Sequence, residues 1–352
     1  MTTLADLGGW PAVLGPLVAG HDLPAEATRA AMAEILDGAA TPAQLAGFVV
    51  ALRMKGETVE ELTGLLDAML GAAALVPVDD PLRARLVDIV GTGGDRSHSI
   101  NVSTLASFVV AGAGVPVCKH GNRAASSACG AADLLEALGV SIELSPDDIV
   151  RCLDKAALAF CFAPRFHPAL RHAGPTRREL GVPTVFNILG PMANPARVQR
   201  LVVGLADLAL AERMLGVLRR QGARRVMIVH GDDGLDELTT TTTSTVWELD
   251  GDAVRTWTLD PATLGLAPAA SADLVGGDPA ANAGFARAVL AGERGPHRDV
   301  VVLNAAAALV VGGAVPSLDE GVALAGIVLD DGRAAAALDA LVASSHAPSH
   351  AP

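Results

Sequence analysis

Three segments of the first 77 residues, 24–36, 42–53 and 59–70, carry apolar positions at i, i+3 and i+4, with no strand-like alternation between them. The spacing predicts three amphipathic helices. Thr41 before Pro42 reads as an N-cap with proline at the first helical position, and Gly71 as the residue just past a helix end. After the Val76–Pro81 linker the texture changes. Apolar runs of strand length at 86–90, 115–118, 140–144, 158–162, 201–205 and 225–230 alternate with helical patterns at 103–112, 130–138, 146–156 and 208–221. Such alternation predicts an α/β fold with a mainly parallel central sheet and right-handed crossovers. Segment 165–195 breaks the rhythm, helical and then rich in proline, and is expected to return to the helical region. The threonine run 239–243, continued by Ser244 and Thr245, is β-prone. The pattern divides the chain into a small helical domain, 1–77, joined by helices from about 165–195, and a large α/β domain, 78–343. A tail of repeated Ser-His-Ala-Pro, 344–352, is expected to be disordered.

Composition narrows the class. With 352 residues the chain exceeds one average core. Hydrophobic residues make up 51%, but alanine supplies much of this and aromatics only 3%. No stretch approaches the roughly 18 uninterrupted apolar residues of a membrane-spanning helix. The N-terminus lacks a basic segment and carries Asp6, so no signal peptide is expected and the reading is a soluble cytoplasmic protein. A net charge of −13 argues against general nucleic-acid binding. Cys118, Cys129, Cys152 and Cys161 include no Cys-x-x-Cys and have no histidine pair at zinc-finger spacing, so reduced thiols are expected.

The candidate chemistry lies where predicted strands end. Gly91-Thr92-Gly93-Gly94-Asp95 follows the first strand and leads to Asn101-Val102-Ser103-Thr104, where a helix opens and presents free N–H groups. A tight strand-to-helix turn alone would account for these glycines. A dinucleotide fingerprint would need glycine at Arg96, and no Gly-Lys-Ser/Thr of a Walker loop is present. The second strand ends in Lys119-His120-Gly121-Asn122-Arg123-Ala124-Ala125-Ser126-Ser127, a cationic and hydroxyl-rich loop before another helix. Another strand, 225–230, is followed by Asp236-Glu237, hard oxygen ligands suited to magnesium, with Ser103 able to complete a second metal position. In open α/β sheets ligands bind beyond the carboxyl ends of strands, so these loops converge on one crevice for a polyanionic substrate. His167, His172, Arg165, Arg171, Arg177 and Arg178 form a further basic segment.

The chain resembles the anthranilate phosphoribosyltransferase family. The likeness is carried by Gly91–Asp95, Asn101–Thr104, KHGNRAASSACGAADLLEALG at Lys119–Gly139, Phe162–Pro168, Arg177–Gly181, FNILGPMANP at Phe186–Pro195, Asp236-Glu237, Gly276–Asn282 and Leu303–Leu309. The resemblance implies a homodimer formed through the helical domain, and transfer of phosphoribose from phosphoribosyl pyrophosphate to the anthranilate amine. It implies phosphoribosyl pyrophosphate contacts at Gly91, Gly94, Asp95, Ser99, Asn101, Val102, Ser103, Thr104, Lys119, His120, Gly121, Asn122, Arg123, Ala124, Ala125, Ser126, Ser127 and Ala131. Anthranilate contacts are implied at Gly91, Asn122, Arg177, Pro164 and His167, and Mg2+ ligands, for two ions per subunit, at Ser103, Asp236 and Glu237. Three positions depart from the family pattern: Ser99 for a frequent threonine, Cys129 for a frequent serine, and Pro183 for a common basic residue. A pyrimidine nucleoside phosphorylase shares the architecture and is the alternative activity. It would be expected to carry a different glycine-rich stretch at 126–130. A nucleic-acid-binding relative is disfavoured by the charge, and a plain α/β binding protein leaves the acidic pair unexplained.

Overall fold

The computed structural model describes residues 2–124 and 128–347. Four helices open the chain: α1 (Trp10–Val18), α2 (Ala25–Leu36), α3 (Pro42–Lys55) and α4 (Val59–Gly71). Thr41 and Thr58 cap α3 and α4 through reciprocal bonds with Gln44 and Glu61, and Pro42 stands at the first position of α3. Gly71 is the last helical residue rather than the one beyond it, the cap falling on Ala72.

The short α5 (Asp80–Arg83) leads into β1 (Val87–Gly91), α6 (Val102–Gly112), β2 (Val117–Gly121), α7 (Ala131–Ala137), α8 (Pro146–Ala156) and β3 (Leu158–Phe162). The predicted strand at 140–144 does not form. Val140, Ile142 and Leu144 alternate into the core as a strand would, but the segment pairs with none of the sheet's strands. Burial accounts for the pattern without a ladder. Three short helices follow, α9 (Ala163–Phe166), α10 (Gly174–Leu180) and α11 (Val185–Leu189), then β4 (Arg200–Gly204), α12 (Ala211–Arg220) and β5 (Arg225–Gly231).

An antiparallel hairpin, β6 (Ser244–Asp250) and β7 (Ala253–Leu259), and four helices, α13 (Pro279–Leu290), α14 (Pro296–Gly312), α15 (Leu318–Asp330) and α16 (Arg333–Ser345), complete the chain. The threonines at 239–243 precede the hairpin as a loop, because their hydroxyls fold back onto side chains. Thr239 and Thr241 donate to Asp233, and Thr243 to Asp232. Such local bonds compete with ladder formation. The segment expected to be disordered from 344 starts inside a helix: α16 runs through Ser345, and Ser344 and Ser345 are buried. Residues 348–352 lie outside the described region.

The seven strands are ordered β3-β2-β1-β4-β5-β6-β7, the first five parallel and the last two antiparallel. Side chains alternate between two faces. On one face Val87, Ile89, Val202, Met227 and Val229 join a core with α6, α8, α14 and α16. On the other, Val90, Leu201, Val203, Val226 and Ile228 meet α12, α1–α4 and residues from 173 to 193. The helical region therefore packs as one apolar body with the sheet, and segment 173–193 belongs to that body.

β1 and β4 pair in register from Val87 with Arg200 to Gly91 with Gly204. A side-chain carbon added at Gly204 would overlap the carbonyl oxygen of Asp236, on the loop after β5. Gly204→Ala should therefore lower stability by at least the ~1–3 kcal/mol typical of overpacking, because the obstacle is backbone rather than a flexible side chain. A urea-unfolding midpoint unchanged from wild type would show that the loop can retreat.

Candidate active site at the switch point of the sheet

From β1 the sheet continues to β2 and β3 on one side and to β4 on the other. Strand order reverses there, the place where open α/β sheets leave a ligand crevice. Gly91 and Gly204 end the two strands side by side, and the acidic loop lies directly over them. A Cβ at Gly91 would come 2.5 Å from Asp236 Oδ2. Asp236 accepts the Gly93 N–H at 2.7 Å, and Glu237 accepts the Ser103 N–H at 3.2 Å where α6 opens. The glycine loop takes the left-handed region at Gly93 (φ 67°) and Gly94 (φ 84°), and at the non-glycine residues Arg96 and His98. Its far end is tied down by a bridge from Ser99 to Val275. The loops predicted from their strand ends thus do meet.

Lys119 is buried beneath them. Its ammonium donates to the Ile89 carbonyl and, at 3.2 Å, to Ser103 Oγ. Burial pulls its pKa down, against the attraction of Asp88, Glu237 and Asp236. Asp88, wholly buried on β1, accepts the His120 N–H at 3.1 Å and the Asn194 amide at 2.8 Å. Burial pushes its pKa up to about 6, with Lys119 opposing. Glu237 is pushed up to about 7, chiefly by burial, while Lys119 and the Ser103 N–H hold it down. Asp236 is raised by burial, then by Glu237 and Asp95. Three carboxylates thus crowd one end of the crevice.

His120, next along β2, points to the opposite face. Its Nδ1 donates to the Gly190 carbonyl at 3.2 Å, which leaves Nε2 as a buried acceptor with no partner among the described residues. Its ring lies 5.2 Å from that of His167, whose Nε2 donates to the Ala193 carbonyl at 2.8 Å. Burial and then His167 push the His120 pKa down to about 3, and burial also lowers that of His167. Both imidazoles are therefore neutral near pH 7. Arg177 on α10 sits half-buried with its guanidinium 4.9 Å from the Phe186 ring centre. Among the described residues no carboxylate pairs with it. The FNILGP segment thus supplies Phe186 under Arg177 and the Gly190 carbonyl on His120, and Ala193 just beyond it accepts from His167. Pro164 is exposed on α9, and Arg178 is exposed beside Arg177.

The remaining implied residues divide by what they offer. Val102 and Thr104 bury their side chains in the core, and the Val102 N–H donates to the Ile100 carbonyl at 2.8 Å, so of the two only the Thr104 N–H can face a ligand. Gly121 ends β2, and Asn122, Arg123 and Ala124 follow it. The exposed Asn122 accepts the Arg123 N–H at 2.7 Å. Arg123 pairs with Asp133 and Glu136 and stacks 5.4 Å from the Phe162 ring centre. Ala131 opens α7, while Ala125, Ser126 and Ser127 lie outside the described residues. Sequence reasoning missed several supporting residues. Asp133 accepts the Ala124 and Gly130 N–H groups at 3.0 and 2.9 Å. Asn282 donates to Asn101 Oδ1 at 2.9 Å, and Asn101 donates to the Cys129 carbonyl at 3.0 Å. Asp88 is a lone charge inside an apolar strand, and Asn304 a lone amide inside an apolar helix. That pattern was the available signal for both.

The donor set suits a hard divalent cation. Glu237 is a buried and Asp236 a half-buried carboxylate, their pKa values raised chiefly by burial, and among the described residues the buried Asp95 Oδ2 has no hydrogen-bond partner. Among the described residues no group of three or more such side chains is already arranged to hold a metal by itself. Substrate oxygens would have to complete the shell.

The chain thus combines a helical bundle with a mainly parallel sheet whose switch point gathers a glycine loop, a helix N-terminus and an acid pair. Residues 83–335 match the model of the glycosyl transferase family a/b domain, and residues 11–73 that of its helical bundle domain. An anthranilate phosphoribosyltransferase from Rhodococcus jostii is 53% identical over 335 residues, covering 94% of this chain and 91% of its own. The crystal structure of the Thermus thermophilus enzyme of that name superposes with a TM-score of 0.89 at 42% identity, covering 95% of this chain and 99% of its own. The Saccharomyces cerevisiae enzyme, solved in complex with PRPP and Mg, gives 0.87 at 28% identity, covering 96% and 98%. The chain belongs to the anthranilate phosphoribosyltransferase family.

The buried histidine has a pH signature of its own. With a folded pKa of about 3 against 6.5 unfolded, His120 takes up its proton preferentially in the unfolded state between those values. Its contribution to stability is complete above about pH 6.5 and is lost as pH falls toward 3. Asp88, raised to about 6, acts in the opposite sense, its charged form costing stability as pH rises from about 4 to 6. In His120→Gln only the second effect remains. Relative to wild type, the variant should gain about 2–4 kcal/mol of unfolding free energy between pH 7 and pH 4. Parallel stability–pH curves for the two proteins would refute the neutral-histidine reading.

Proposed function

We propose that the crevice transfers the phosphoribosyl group of phosphoribosyl pyrophosphate to the amine of anthranilate, releasing pyrophosphate, as a step of tryptophan biosynthesis. One observation carries this reading: the acid pair Asp236-Glu237 lies across the switch point, between a glycine loop and the N-terminus of α6. On this assignment the N-terminus of α6 and the loop after β2 face the phosphates, as helix N-termini commonly do. Lys119 keeps Ser103 Oγ oriented from beneath. Ser103, Asp236 and Glu237 hold Mg2+, two ions per subunit, and the metal when bound supplies charge neutralisation of the pyrophosphate. Arg177, braced on Phe186 and lacking a carboxylate of its own, takes the anthranilate carboxylate in a forked pair. His120, His167, Pro164 and Asn122 line the acceptor's side. The arylamine is already neutral at pH 7, and both histidines are neutral, so placement of the nucleophile matters more than a strong base. Exposed Val18, Val50 and Met54 on the packed helices α1 and α3 suit a homodimer formed through the helical region. No described helix is long and apolar enough to cross a membrane. Cytoplasmic action fits a biosynthetic enzyme working on charged metabolites.

The direct test is the loss of anthranilate fluorescence on adding phosphoribosyl pyrophosphate and Mg2+ together, with no loss when either is omitted. Glu237→Gln should depress that turnover strongly while the protein stays folded. Near-normal turnover at saturating Mg2+ would remove the metal assignment.

Arg177→Ala should chiefly weaken use of anthranilate and spare binding of phosphoribosyl pyrophosphate. A hydrogen bond to a charged group contributes about 1.5–3 kcal/mol, so anthranilate efficiency should fall about ten- to a hundredfold or more. Lysine restores charge without the fork, so Arg177→Lys should recover only part. The exposed Arg178 is the control and should tolerate alanine. Greater harm from Arg178→Ala than from Arg177→Ala would move the acceptor site to the other arginine.

A further inference from the structure

The acidic loop is short, and each of its three residues is held by a different part of the fold. Asp236 rests on the two strand-end glycines and accepts the Gly93 N–H. Glu237 accepts the Ser103 N–H from α6. Leu238 is held by Asn304, from the middle of α14. The Leu238 N–H donates to Asn304 Oδ1 at 3.0 Å, and Asn304 Nδ2 donates back to the Leu238 carbonyl at 2.8 Å. One side-chain amide therefore closes both backbone polar groups of the residue next to Glu237.

The setting of this amide is unusual. Every residue of α14 from Val300 to Val311 is buried, and apart from Asn304 all are valine, leucine or alanine. Asparagine is a mediocre helix former, and a buried amide is costly unless bonded. Asn304 has no exposed surface, and its remaining donor closes on the Val300 carbonyl at 2.9 Å. All its donors are thus used inside the protein, and none reaches the crevice. An apolar residue would serve the packing of α14 equally well. It could not fix where Leu238, and hence Glu237, stands.

We infer that Asn304 is a positioning residue for the reaction: it clamps the backbone beside Glu237 so that the acid pair is preset to receive the Mg2+–phosphoribosyl pyrophosphate complex. The inference rests on the proposed role of Asp236 and Glu237. Two hydrogen bonds to one residue fix both its position and its rotation, and they do so on the main chain, whereas the Gly93 and Ser103 bonds hold only the side chains of Asp236 and Glu237. With the clamp removed, the loop keeps its sequence and its carboxylates but loses the main-chain anchor beside Glu237.

The test uses the full chain and two variants. Asn304→Leu keeps side-chain volume and removes all three bonds. Asn304→Asp keeps the acceptor for the Leu238 N–H and, when ionised, removes both donors. Calorimetry with phosphoribosyl pyrophosphate in excess Mg2+ should show at least a tenfold weaker complex for Asn304→Leu and a smaller loss for Asn304→Asp. The KM for anthranilate should stay within about twofold of wild type. In the ligand-free protein, amide exchange should quicken over the peptide spanning 236–240, with 87–91 and 102–110 unchanged. If Asn304→Leu does not fold, Asn304→Asp is read by the same three measurements. Glu237→Gln, run alongside, separates the two levels of the argument. If it too binds the Mg2+ complex as wild type does, the acid-pair reading fails. If it loses binding while a folded Asn304 variant binds within twofold of wild type, the positioning role alone is overturned. A loss shared equally by anthranilate and phosphoribosyl pyrophosphate, with exchange quickened throughout the sheet, would make Asn304 a packing residue and overturn the inference as well.

Discussion

The approach of the Asp236 backbone to the ends of β1 and β4 is the constraint on which the site depends. Two glycines in register leave room for a carbonyl and a carboxylate where any side chain would push them away. Everything else in the crevice is measured from that contact. The glycine loop hangs from Asp236 through Gly93, the start of α6 is tied to Glu237, and Lys119 reaches Ser103 from below. The result is a pair of acids, Glu237 buried and Asp236 half-buried, set at the N-terminus of α6, an arrangement that favours a cation and a polyanion arriving together. Neither alone balances the charges present.

Much of this was legible in the sequence because strand ends are marked twice, by the end of an apolar run and by the glycine that follows. Gly91, Gly121 and Gly231 each close a strand, and the loops read from them meet at one edge of the sheet. What sequence could not supply was the direction of side chains and the partners across the fold. Lys119 and His120 are neighbours in one motif, yet strand alternation sends one under the phosphate loops and the other toward Gly190 and His167. The acceptor side was readable only through family likeness. Its basic residues lie on short helices whose order in space follows from the 186–193 segment, not from spacing.

The misread elements share one cause. Val140, Ile142 and Leu144 alternate because one side of the segment is buried, and burial needs no ladder. The threonines at 239–243 have strand propensity but find Asp232 and Asp233 closer than any neighbouring strand. Local hydrogen bonds and simple packing both imitate the signals of a sheet. Ser244 and Thr245, read as β-prone, do open β6, but the rest of the β6–β7 hairpin and the helices beyond it went unassigned, the alanine-rich helices because alanine blurs the contrast between buried and exposed faces. Asn304 shows the converse: the one polar residue in that apolar stretch was the informative one.

The apolar body that joins α1–α4 to one face of the sheet has a further consequence. Sequence and family models both suggest a seam near residue 77, where helical and α/β parts adjoin. Yet Leu201, Val203, Val226 and Ile228 lie in the same core as Phe48, Leu62 and Leu65. A cut at the seam would pass through packed hydrocarbon, not through a hinge. Segment 173–193 is embedded in that mass, while the glycine and acidic loops grow from the strands beside it. On the proposed assignment the two substrates would be gripped by parts of the chain that are far apart in sequence but share one interior. Melting of the helical region would therefore be felt at the mouth of the crevice.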